Sequence, residues 1–130
     1  MIKRRIATVL TVAAGFVLLG ASAAYAGDQR VEIDDYWYGY PLGHATWTEN
    51  GDTLKVCDDY PDGYGVRGYI YVPYTGNEEN GTVLMKASDP SNDGNCVTTT
   101  KNISETGPLY IKVCNYAGAA IGPCNWVQIR

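Results

Sequence analysis

The chain has one histidine, one phenylalanine and two methionines, and the shortages exclude more than they permit. His44 alone cannot provide the several imidazoles of a typical transition-metal site, and no C-x-x-C pair substitutes for them. A Ser-His-Asp triad would rest on that single histidine, and Ser88, Ser91 and Ser104 stand in no nucleophile-elbow context. There is no glycine-rich phosphate loop. Carboxylates are so numerous that a glycosidase couple can be drawn anywhere, which leaves that pattern without weight. The sequence therefore reads as a non-enzyme with no cofactor. Cations are sparse too: ten Lys and Arg against fourteen Asp and Glu. Phosphate backbones and anionic bilayers both need clustered cations, so neither nucleic acid nor a membrane surface is expected as a partner.

Long apolar runs are confined to the N-terminus. Lys3-Arg4-Arg5 precede the apolar stretch Ile6 to Gly20, and Ala24-Tyr25-Ala26 place small residues where a signal peptidase cuts. Residues 1–26 are read as a cleaved signal peptide and 27–130 as a single secreted, extracellular domain. The signal carries three basic residues and no acidic one, so its loss takes the net charge from −4 to −7. It also removes Phe16, leaving Tyr and Trp to do all aromatic packing. No second apolar run of about 18 residues follows, and no membrane association is expected after cleavage.

In an exported chain the four cysteines, Cys57, Cys96, Cys114 and Cys124, read as two disulfides. Three pairings are possible, and Cys57–Cys96 with Cys114–Cys124 is favoured. The first would tie distant strands, and the second would close the loop Asn115 to Pro123. Val, Ile, Thr and Tyr recur in short runs between turn residues. Asn50-Gly51-Asp52 marks a hairpin between His44–Glu49 and Thr53–Asp58. Along Tyr64–Pro73 the alternation directs Val66, Gly68, Ile70 and Val72 inward, and Arg67, Tyr69 and Tyr71 outward. Further strands are expected at Thr82–Ser88, Cys96–Ser104, Leu109–Asn115 and Cys124–Ile129. The expected fold is all-β: an antiparallel sandwich of about seven strands, Ig-like or Greek key, acting as a monomer.

Two groups of side chains invite a function. Tyr36-Trp37-Tyr38-Gly39-Tyr40 is an aromatic run suited to a glycan or a protein surface. As a strand it would show Tyr36, Tyr38 and Tyr40 on one face with Trp37 on the other. Tyr69 and Tyr71 would extend the patch if their strand lay alongside. The turns Asp58–Gly63 and Asp89–Gly94 share the form D-x-x-x-D-G. A Cys57–Cys96 bond would bring them together, making Asp58, Asp62, Asp89 and Asp93 candidate Ca²⁺ ligands, although the EF-hand spacing is absent.

The run from Trp47 through Asn50-Gly51-Asp52, Val56-Cys57-Asp58 and Pro61-Asp62-Gly63, with Asn95-Cys96, Val113-Cys114 and Cys124-Asn125-Trp126, resembles small exported actinobacterial proteins. That resemblance covers residues 44–130. It implies a bacterial two-disulfide β fold of unassigned function and brings no site residues. The chain is also similar in outline to the secreted α-amylase inhibitors of the tendamistat type. Their Trp-Arg-Tyr turn is not reproduced, since Trp37-Tyr38-Gly39 contains no arginine. The expected function is a non-enzymatic binding protein for an extracellular protein or glycan. The alternative is an inhibitor of an extracellular amylase or protease.

Overall fold

The computed structural model describes residues 28–104 and 106–130. The segment expected to be the signal peptide lies outside the described residues. Alternation of apolar and polar side chains builds the rest. Among the described residues there are eight strands, β1 (Gln29–Asp34), β2 (Pro41–Thr48), β3 (Thr53–Asp58), β4 (Gly65–Tyr74), β5 (Asn77–Asp89), β6 (Val97–Thr100), β7 (Tyr110–Ala117) and β8 (Ala120–Gln128). They form two four-stranded antiparallel sheets, ordered β1-β2-β3-β6 and β5-β4-β7-β8. The chain crosses between sheets after β3, β5 and β6, giving the expected sandwich with one strand more than anticipated.

Each sheet turns one row of side chains inward. Val31, Ile33, Ala45, Trp47, Leu54 and Val56 meet Val66, Ile70, Met85, Ile111 and Val113, all buried. Trp47 is fully buried, with Nε1 donating to Glu49 Oε2 at 2.6 Å. Glu49 Oε1 in turn lies 3.2 Å from Arg130 Nη1, which ties β2 to the C-terminus. The sheets pack closely at Gly68, where a Cβ would lie 2.6 Å from Val56 Cγ2. A larger residue there would have to push the layers apart.

Both disulfides form as favoured, Cys57–Cys96 and Cys114–Cys124. Cys114 and Cys124 sit directly opposite each other in the β7–β8 ladder. The β1–β2, β3–β4, β5–β6 and β7–β8 connections all fall at one end of the sandwich.

Candidate binding site

The aromatic run is a hairpin tip, not a strand. Strand β1 comes earlier, at Gln29–Asp34, and Tyr36-Trp37-Tyr38 form the turn into β2. Asp35 organises it: its Oδ1 accepts the backbone N–H of Trp37 (2.9 Å) and of Tyr38 (2.8 Å). Backbone bonds from Asp35 N to Tyr40 O (2.8 Å) and from Gly39 N to Asp35 O (2.9 Å) close the loop. Gly39 has φ +68°, a left-handed conformation costly for other residues. Held this way, Tyr36, Trp37 and Tyr38 are 88%, 81% and 78% exposed. Trp37 does not reach the core.

The rings form an ordered array. Tyr36 and Trp37 meet edge to face at 5.1 Å between centroids. Tyr38 lies parallel to Tyr40 at 5.9 Å, and Tyr40 stacks on Tyr60 of the β3–β4 loop at 4.3 Å. A hydrogen bond with the Tyr60 side chain, followed by burial and nearby negative groups, pushes the Tyr40 phenol up to about 12. The array continues into a cavity of 420 Å³ between the tip, the β3–β4 loop and the β7–β8 hairpin. Its wall includes Tyr40, Tyr64, Tyr116, Ile121, Asp35 and Asp62. Tyr60, Tyr64 and Tyr116 had no distinguishing sequence signal of their own. Only the disulfide-tied turns pointed to this end.

Tyr69 and Tyr71 do not extend the patch, because β4 belongs to the other sheet from β1. They flank Lys112, whose Nζ lies 5.7 Å from each ring centroid. Both therefore share one face, as the alternation requires, yet Tyr71 is only 2% exposed while Val72 is 37% exposed. The β4–β5 register shifts at Ile70/Tyr71 and again near the hairpin end. Residues Asn77–Gly81 then cover Tyr71, with its hydroxyl donating to Glu78 O at 2.6 Å and Gly81 packed against its ring. The hairpin laid over Tyr71, not a change of strand face, buries a residue that simple alternation leaves exposed. Burial raises the Tyr71 phenol pKa and lowers that of Lys112. A second cavity, of 450 Å³, lies over these residues.

The two acidic turns do meet at this end, as the Cys57–Cys96 bond requires. Their carboxylates do not converge into an oxygen cage. Asp58 Oδ1 accepts from Tyr60 N (3.3 Å), Asp62 Oδ1 from Tyr64 N (2.9 Å), and Asp93 Oδ1 from Asn95 N (2.9 Å). Asp89 takes the N–H of Asp58 at 2.9 Å and that of Ser91 at 3.4 Å. Each aspartate accepts from its own turn or the neighbouring one, and Asp62 Oδ2 also from Asn115 Nδ2 on β7 at 3.3 Å. Among the described residues no three His, Cys, Asp or Glu side chains group as a metal site. His44, on β2, faces Asp59 across 2.5 Å and braces the β3–β4 loop.

No protein-family model, curated protein or solved structure matches the chain.

Proposed function

We propose that the protein is a secreted, non-enzymatic binding protein that grips an extracellular protein or glycan with its aromatic end. The observation that carries this is the tip itself: three large aromatic rings displayed to solvent on a turn held by four hydrogen bonds. Exposed aromatic surface is costly in water unless something covers it, and rigid Tyr and Trp lose little entropy on binding. The two disulfides agree with an oxidising compartment, and the basic-apolar start of the sequence with export.

The test is capture from culture supernatant and cell wall on the immobilised protein, beside a Trp37→Ala/Tyr38→Ala variant. Whatever the wild type retains should bind the variant at least about tenfold more weakly, as expected for central aromatic anchors. Equal capture by both proteins would end this reading. A second reading draws on the disulfide-held β7–β8 hairpin beside the tip. A rigid loop of that kind suits an inhibitor of an extracellular amylase or protease. Inhibition of such an enzyme at sub-micromolar concentration would select it.

A further inference from the structure

The cavity behind the tip has a composition that singles out one kind of guest. Three tyrosines, Tyr40, Tyr64 and Tyr116, line it together with Asp35 and Asp62, and among the described residues no Lys, Arg or His shares the wall. Asn115 at its base is 7% exposed and directs Nδ2 to Asp62 Oδ2 at 3.3 Å. Turning that amide over would set its oxygen against the carboxylate, so the orientation is fixed by charge. Asn115 Oδ1 is thereby left buried without a hydrogen-bond partner among the described residues. Tyr116 is fixed as well, packed on Gly65 and covered by the Arg67 guanidinium at 4.1 Å from the ring centroid. Arg67 occupies one face of Tyr116 from outside the cavity, and the rings and acceptors turned to the cavity itself make a receptor for a flat positive group. The remainder of the domain adds to the attraction, with a net charge of −7 over residues 27–130.

We infer that this cavity takes an arginine side chain presented by a protein partner, the guanidinium lying among Tyr40, Tyr64 and Tyr116 and meeting the carboxylates of Asp35 and Asp62. Arginine fits better than lysine because a planar fork stacks on rings and pairs with carboxylates at once. The inference rests on the binding-protein reading and narrows it, from protein or glycan to a protein with a basic surface. The exposed tip would then lie against the partner around the inserted residue.

The experiment is a titration of the purified, oxidised protein with Nα-acetyl-arginine amide, followed through its backbone amide resonances. A single side chain is expected to bind with a Kd of about 1–10 mM, weakening as salt rises. Shifts should centre on Tyr64, Asn115 and Ile121. The neutral isostere Nα-acetyl-citrulline amide should bind at least about fivefold more weakly, the share expected of a charged hydrogen bond. Asp62→Asn, which keeps the Oδ1 acceptor for Tyr64, should weaken arginine to a similar degree. Ile121→Trp, on the exposed rim, should fill the space and abolish the shifts while leaving the remaining spectrum intact. Citrulline binding as well as arginine would overturn the inference. So would a neutral oligosaccharide shifting the same amides when arginine does not. Absence of shifts at about 20 mM, well above the expected Kd, would do the same. If arginine fails while tip-dependent capture persists, the cavity assignment falls and the aromatic tip stands. If arginine binds while the tip variant captures normally, the tip reading falls instead.

Discussion

Asp58 is the residue where burial and charge pull hardest against each other. It is buried at the end of β3, with Asp59, Asp62 and Asp89 nearby. Desolvation raises its carboxyl from an ordinary 3.8 to about 6; the three neighbouring negative charges add to the rise, and the hydrogen bond from Tyr60 opposes it. The folded protein therefore holds this proton at pH values where the unfolded chain has lost it. Below pH 3.8 both states are protonated and the group is neutral to stability. Between about pH 4 and 6 raising the pH destabilises the fold, and above 6 the full penalty, about 2–3 kcal/mol, is in force. Asp58→Asn keeps the Oδ1 acceptor for Tyr60 and removes the charge. The variant should gain on the order of 1–2 kcal/mol over the wild type at pH 7 and nothing near pH 3.5. Urea unfolding of both proteins across that range checks it. A difference that does not change with pH would mean Asp58 ionises normally.

At the scale of elements, the tip shows how a short sequence can be read correctly for chemistry and wrongly for shape. Tyr36-Trp37-Tyr38 stood out because aromatic clusters are conspicuous, but β-propensity suggested a strand. Asp35 and Gly39 decide otherwise, one by capping two N–H groups and the other by taking a positive φ. The true strand, Gln29–Asp34, carries only Val31 and Ile33 as apolar residues, too short a pattern to stand out among four charged or amide neighbours. The hairpin at Asn50-Gly51 and both disulfides were legible, since turn chemistry and cysteine pairing are local or few-valued. The similar pentapeptides Leu54–Asp58 and Ile111–Asn115 lie on β3 and β7, each with one disulfide cysteine and with Val56 and Val113 buried. Register shifts were not legible: nothing at Ile70-Tyr71 announces that Tyr71 will be covered. If Asp35 is what stiffens the tip, Asp35→Ala should raise exchange of the Trp37 and Tyr38 amides about five- to tenfold, for roughly 1 kcal/mol per lost bond. Amides within β1 and β2 should be unaffected. Unchanged exchange at Trp37 and Tyr38 would place the stiffness in the ring contacts instead.

For the whole molecule, the loop-bearing end must hold four connections, an open cavity and several like charges together, and the hydrophobic core lies behind it. The two disulfides act there by different means. Cys57–Cys96 spans 39 residues and joins the end of β3 to the residue before β6, across β4 and β5. Cys114–Cys124 spans 10 residues inside a hairpin whose ladder already sets most of its geometry. Loop-closure entropy gives the first about 4 kcal/mol and the second about 2.7 kcal/mol. Cys57→Ala/Cys96→Ala should therefore lower unfolding free energy by about 1 kcal/mol more than Cys114→Ala/Cys124→Ala, a difference the chain-entropy relation assigns to loop length. Function should follow the opposite order. Ile121 and Gly122, which face both cavities, sit within the shorter loop, so its opening should damage binding more than its modest stability cost implies. Urea titration of the two double variants, paired with capture or arginine titration, separates the two effects. If the longer bridge governs both stability and binding, the β7–β8 hairpin holds its shape without its disulfide, and the site depends on the core rather than on the staple beside it.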